Sequence, residues 1–315
     1  MKEYFLRRLL LIIPTFLGIT FLCFGITQFV PGGPVEQAIM RMRGGEQGGE
    51  SVASTGQSEA GSITETQREY IRKHYGFDQP FLKRYWKWLV DDKIGLQMES
   101  YKFPNKTAWQ MISERFPVSL VFGLTGFLLT YLVCIPLGVL KALWHGKPFD
   151  LVSSVIVFVG YAIPAFALGM VLKMVFCGTV DGLWDILPAT GFHSQDFESL
   201  GFWDRCVDLL RHLILPVTCY MVGSFAVLTL LMKNSLLEQI NSDYVRTVYA
   251  KGGSTARVLW CHALRNALIP IATGFGGVLS IMFAGSVIIE RVFEIPGMGS
   301  LSLEAVVGRD SPVFM

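Results

Sequence analysis

Five stretches without a single Asp, Glu, Lys or Arg punctuate the chain: residues 9–30, 117–140, 151–172, 212–232 and 267–289. A helix rises 1.5 Å per residue, so crossing a hydrocarbon layer of about 30 Å takes about 20 apolar residues. Each stretch is long enough, and each ends in charge, Pro or Gly. The pattern predicts five transmembrane helices. Pro14, Pro136, Pro164 and Pro216 fall in or at the ends of these spans, where neighbouring helices satisfy the carbonyls that proline leaves free. Residues 9–30 are too many for the apolar core of a cleaved signal peptide, and Val30-Pro31-Gly32-Gly33-Pro34 offers no small-residue cleavage site. The first stretch is therefore read as a retained span.

Between the spans the polar pattern is informative in two places. Residues 44–62 are rich in Gly, Ser and Glu and hold almost nothing to bury, which predicts a flexible surface insertion. Ser62-Ile63-Thr64-Glu65 then reads as a capping box opening a short helix that Gly76 closes. A further helix follows Pro80 and carries Phe81, Tyr85, Trp88 and Leu89 at helical spacing. Such an aromatic stripe reads as local core rather than a ligand box. Segment 31–116 is thus expected to be a small helical domain with a flexible insertion. The second place is 233–266. Residues 243–250 put Val245, Val248 and Tyr249 on one helical face. Gly252-Gly253 breaks that helix, and Ser254 or Thr255 can cap a second one running through Leu264. Patterning leaves two readings open: a compact knob that docks on another protein, or a helical pair lying on lipid headgroups.

Composition agrees with the span pattern. Of 315 residues 51% are hydrophobic and only 17% charged, with a mean hydropathy of +0.45, values of the membrane class. The net charge of +2 gives no reason to expect a nucleic-acid partner. Charge placement sets the orientation, because Lys and Arg accumulate in short cytoplasmic loops. Lys2, Arg7 and Arg8 precede the first span, Lys141 and Lys147 follow the second, and Lys233, Arg246, Lys251, Arg257 and Arg265 lie between the fourth and fifth. The connection after the third span instead holds Asp181, Asp185, Asp196, Glu198, Asp204 and Asp208 against Arg205, with Lys173 and Arg211 at its two ends. The N-terminus is therefore expected to be cytoplasmic and segment 31–116 to lie outside. Lys173 sits near the outer end of span three and can snorkel to the interface. Cys177 and Cys206 flank the outer connection and are read as unpaired thiols rather than a disulfide, and the five histidines have no metal-site spacing.

Two absences from the sequence bear on the energy source. Ion-coupled transporters need ionisable side chains inside the membrane, and none of the five stretches holds one. Nor is there a phosphate-binding loop; Gly146-Lys147-Pro148 is the nearest approach to one. Active transport would then be powered by another chain, through a contact for which 233–266 is the candidate. In the fifth span Thr273, Gly277, Ser280 and Ala284 form a stripe of small residues. Such a stripe reads first as a helix-packing seam, and the same residues could line a solute path.

Asp243-Tyr244-Val245-Arg246-Thr247-Val248-Tyr249-Ala250-Lys251-Gly252, with His262-Ala263-Leu264-Arg265-Asn266-Ala267-Leu268-Ile269-Pro270 beyond it, resembles the coupling loop of ABC-importer permeases. Arg7-Arg8-Leu9-Leu10, Pro31-Gly32-Gly33-Pro34, Tyr75-Gly76-Phe77-Asp78-Gln79-Pro80, Ile135-Pro136-Leu137-Gly138, Leu187-Pro188-Ala189-Thr190-Gly191 and Val292-Phe293-Glu294-Ile295-Pro296-Gly297-Met298-Gly299 extend the likeness almost end to end. The chain resembles the oligopeptide/dipeptide permeases, and its Tyr161-Ala162-Ile163-Pro164-Ala165-Phe166 and outer insertion look most like the Yej branch, associated with oligopeptides and the peptide antibiotic microcin C.

The resemblance implies a permease subunit of the bacterial inner membrane. It implies a second permease subunit in a hetero-dimer, two ATP-binding subunits that carry the ATP and Mg, and a periplasmic solute-binding protein. It implies no catalysis and no cofactor in this chain. Tyr244, Val245, Arg246, Thr247, Val248, Ala250, Lys251 and Gly252 would seat on an ATPase, with Arg246, Thr247 and Val248 at the Glu-Ala-Ala positions and Gly252 as the motif glycine. Val248 stands where the family usually has Ala. Relatives carry a sixth span after the Arg309-Asp310-Ser311-Pro312 region, so the native protein is expected to continue beyond Met315. The competing reading is a membrane-anchored sensor or assembly protein with a ligand-binding outer domain, and a passive channel is a third.

Overall fold

The computed structural model describes residues 2–29, 79–100, 102–103, 105–178, 184–276 and 286–314. The insertion 44–62 and the helix expected from Ser62 to Gly76 lie outside the described residues. Those that are described form helices, with two isolated β-bridges, Glu99 with Thr107 and Cys177 with Asp185. The chain divides into two units, Met1–Ser113 with Ser302–Met315, and Glu114–Leu301.

In the first unit, α1 (Lys2–Phe29) is a single helix through Pro14. Its apolar side chains are largely exposed: Leu9, Leu10, Ile12, Ile13 and Leu22 have no cover, as suits a surface facing lipid. Near its end Phe24 is buried with Tyr85 and Trp88, the latter two from α2 (Phe81–Trp86) and the π-helical turn Lys87–Asp91. Phe21 meets Phe81 edge-on at 5.4 Å, and the Tyr85 hydroxyl lies 2.9 Å from Thr20 Oγ1. The aromatic stripe after Pro80 is core, packed on α1. Farther along, the buried Asp310 carboxylate accepts a hydrogen bond from Ser100 Oγ, just before the short α12 (Ser311–Phe314).

The second unit is built on two long helices, α3 (Ala108–Leu143), whose first turns belong to the first unit, and α6 (Phe202–Ile240). With 36 and 39 residues they are about 54 and 58 Å long at 1.5 Å per residue, well beyond the hydrocarbon thickness. They cross closely at Gly138, where a β-carbon would stand 2.6 Å from Met232 Cβ and 2.8 Å from the Thr229 carbonyl oxygen. Between them α4 (Pro148–Ala162) and α5 (Ala165–Phe176) pack along α6.

Among the described residues three helices, α1, α3 and α6, are long and apolar enough to cross a membrane, or four if α4 and α5 count as one broken span. The expected third span is not one straight helix. α4 and α5 meet at 95°, because Pro164 has no N–H to donate back and holds Ile163 out of the helical region. Of the expected fifth span, α9 (Leu264–Thr273) is described and residues 277–285 are not. Beyond it come α10 (Val287–Val292) and α11 (Met298–Val307), the latter continuing into the first unit.

Candidate functional site

The expected loop 233–266 is shorter than its polarity suggested, because helices enter it from both sides. α6 runs on past Lys233 to Ile240. After a turn at Asn241 and Ser242 comes α7 (Asp243–Ala250). The helix expected through Leu264 does not stop there: α8 (Thr255–Arg257), a π-helical turn (Val258–Ala263) and α9 follow one another without a break. Ser254 caps this run, its Oγ accepting from Arg257 N at 3.4 Å.

α7 is only eight residues long, too short to hold its shape alone. Its underside holds it. Val245 is buried in a cluster with Cys134, Val139 and Ala142 of α3, Leu228, Met232 and Leu236 of α6, and Val258, Leu259, Ala263, Ala267 and Ile271 beyond; Tyr244 and Val248 pack at the edge. The Tyr244 hydroxyl donates to Gln239 Oε1 at 2.9 Å. Tyr249, expected on the apolar face, is instead exposed at 44%, since the helix is too short for its far end to remain over the cluster. The end of α7 is fixed by two bonds, Gly252 N–H to the Tyr249 carbonyl at 2.9 Å and Gly253 N–H to the Val248 carbonyl at 3.0 Å. That pairing requires a left-handed residue, and Gly252 has φ +82. A β-carbon on Gly252 would meet nothing within 4 Å, whereas one on Gly253 would come within 2.7 Å of Val248 Cγ1. The larger side chain at 248 is thus turned inward, over a glycine. Arg246, Thr247, Ala250, Lys251 and Gly252 face solvent. The Arg246–Asp243 pair at 3.6 Å is fully open to water and adds little.

Beneath this surface lies a charge cluster. Lys141 of α3, Asp150 of α4 and Lys233 of α6 are all buried or nearly so. Lys233 Nζ donates to both Asp150 carboxylate oxygens at 2.8 Å, and Lys141 Nζ lies 3.1 Å from Oδ1. Lys141 also reaches the Asp150 carbonyl at 2.9 Å, Ser153 Oγ at 2.8 Å and Ser154 Oγ at 2.7 Å. Gly146 N–H donates to Oδ2 at 3.2 Å, and His145 Nδ1, on an exposed ring, is 3.3 Å from the same atom. Buried charges persist only when paired and hydrogen-bonded, and these are. The sequence pattern placed Lys141 and Lys233 in solvent loops and stopped one residue short of Asp150.

Of the small-residue stripe, Thr273 is exposed, its hydroxyl bonded back to the Pro270 carbonyl at 2.5 Å. Gly277, Ser280 and Ala284 lie outside the described residues. A third buried carboxylate, Glu290, accepts from Ser119 Oγ and Ser286 N–H at 3.2 Å each and from Ser300 N–H at 2.7 Å. Glu290 thereby ties α10 to α3 and to the first turn of α11, where a negative group favours the free N–H donors. All six cysteines are free, Cys177 donating weakly to the Pro188 carbonyl.

Comparison with known proteins agrees with this architecture. Residues 134–315 match the family described as binding-protein-dependent transport system inner membrane component. The inner membrane ABC transporter permease protein YejB of Escherichia coli is 40% identical over all of this chain and 91% of its own length. The peptidoglycan transport system permease protein YejB of Agrobacterium fabrum is 35% identical over 99% and 90%. The di/tripeptide transport system permease protein DppB of Pseudomonas aeruginosa is 34% identical over the same shares. These are transport components rather than enzymes, and the likeness sets aside the sensor reading. The chain belongs to the inner-membrane permease components of binding-protein-dependent ABC transport systems.

Proposed function

We propose that this chain is one of two different permease subunits of an importer for peptides or peptide-like solutes, and that Tyr244–Gly252 seats on a separate ATPase subunit. The observation that carries the proposal is α7 itself: an eight-residue helix whose apolar underside is buried in the span cluster and whose polar upper face is bare. A surface so made transmits force from above to the helices below. The orientation that fits has the N-terminus and α7 in the cytoplasm and segment 31–116 outside, where a solute-binding protein would deliver cargo. ATP and Mg would be held by two ATP-binding subunits. Similar proteins are named for transport of peptidoglycan, di- and tripeptides and oligopeptides, and the chemistry common to these is the peptide chain. The exposed Thr273 and its stripe would line the route, with side-chain selectivity left to the binding protein.

Co-purification with candidate ATPase subunits from the same cell tests the proposal, comparing wild type with Gly252→Asp. Asp tolerates a left-handed backbone better than most residues, and the space beyond Gly252 is open. The free fold should therefore survive while the carboxylate enters the ATPase seat. Retention by wild type and loss by the variant is expected. A folded wild-type protein that holds no ATPase would overturn the proposal.

A further inference from the structure

The charge cluster does more than neutralise itself. α4 is mostly bare: Leu151, Val152, Val155, Ile156, Phe158 and Val159 are each more than half exposed, and its buried residues are Asp150 and Val157. Its start is fastened by polar contacts: the Asp150 carboxylate is gripped by Lys233 of α6 and Lys141 of α3, and Lys141 also holds the Asp150 carbonyl, Ser153 and Ser154. Lys233 adjoins Met232 on α6, and both Met232 and Leu236 belong to the cluster on which Val245 of α7 rests. One short segment of α6 thus carries the bed of α7 on some side chains and the grip on α4 on another.

We infer that Asp150 and Lys233 are positioning residues for transport, linking α7 to the bent pair α4–α5 so that displacement of α7 is passed to that pair. The inference rests on the proposed seating of α7 on an ATPase. A charged link suits the task. It is directional and short, and it cannot slip by one position as an apolar contact can, because each ion left alone in the interior would be uncompensated. The bent pair, held at its start by α3 and α6 through these polar contacts, follows the link.

The test uses the whole complex in proteoliposomes, reading ATP hydrolysis and peptide uptake together. Lys233→Met removes the α6 partner and takes the cluster from one net positive charge to none, leaving Asp150 paired one-to-one with Lys141, so no buried ion is left without a counter-ion. Its complex is expected to assemble in normal yield and hydrolyse ATP under control of the binding protein. Its uptake per ATP should fall about tenfold, within the usual range for losing a coupling between two sites. Lys233→Arg, which keeps the pair, should restore the ratio. A wild-type ratio of uptake to hydrolysis in Lys233→Met would overturn the link. So would a proportional loss of both activities that tracked assembly yield, since that marks a purely structural role. A wild-type chain that binds no ATPase would overturn the coupling proposal itself, an outcome visible before any variant is made.

Discussion

Truncating Val245 to Ala measures how firmly the eight-residue helix α7 is moored. Val245 is 1% exposed and sits among apolar side chains from α3, α6 and the helical run after Thr255. The substitution deletes two methyl groups, about 0.8 kcal/mol each for transfer, and leaves a small void, for a total of about 2 kcal/mol. That loss falls on α7 alone, because the helices beneath keep their other contacts. A helix of this length has no stability of its own, so the full amount should appear in the docked-to-undocked balance, a shift of about 30-fold. Hydrogen exchange on the reconstituted protein reads this directly. The Gly252 and Gly253 amides, bonded to Tyr249 and Val248, should exchange about 30-fold faster, while amides in the middle of α6 stay unchanged. Thr247→Ala is the control: its hydroxyl is exposed and bonds only within α7, to the Asp243 carbonyl. Exchange in Val245→Ala within threefold of wild type would refute the reasoning, because α7 would then be held by something other than its underside.

The two glycines after α7 should respond in an order opposite to motif reading. Gly252→Ala meets open space and pays only for its left-handed backbone, about 1–2 kcal/mol. Gly253→Ala drives a β-carbon to 2.9 Å from the Val248 carbonyl oxygen, which no rotamer relieves; amide exchange at the end of α7 should rise more, and the reverse order would count against the contact geometry. Glu290→Gln leaves one amide N–H₂ facing a backbone or hydroxyl donor, whichever way it is turned; a loss of about 2 kcal/mol should lower the thermal midpoint in detergent, and an unchanged midpoint would speak against the hydrogen-bond arrangement. Maleimide labelling of the folded protein should modify the exposed Cys261 and spare the buried Cys134 and Cys219 until unfolding; early labelling of Cys134 would contradict its place beneath α7.

Much of this was legible in the sequence. The helices α1, α3 and α6 follow from uncharged runs longer than a bilayer is thick, and the aromatic residues after Pro80 announce a core by their spacing. The glycine break and the Ser254 cap are likewise local chemistry. What escaped was everything set by tertiary contact. Hydropathy drops at Lys233, yet α6 continues because the next turns still bury Ser235 and Leu236. Lys141 and Lys233 looked like loop charges because nothing local reveals that Asp150, outside the apolar window by one residue, lies between them. The apolar face of α7 was read one residue too far: Val245 is buried, but Tyr249 swings into solvent. At Pro164 proline chemistry was visible, but a 95° turn rather than a mild kink was not.

The uninterrupted course of α6 has a consequence for how this sequence can change over time. Along one helix every inserted or deleted residue turns all that follows by about 100°. Between Pro216 and Met232 such a change would swing Met232 away from Gly138, Lys233 away from Asp150 and Leu236 out from under Val245 in a single event. No later substitution at one position could repair three mismatches on different neighbours. The distance along the chain from Pro216 to Met232 is therefore a fixed gauge, counted in whole residues. Length variation among relatives must be taken up elsewhere, in connections that carry no rotational phase. An alignment that opens a gap inside this gauge has misplaced it.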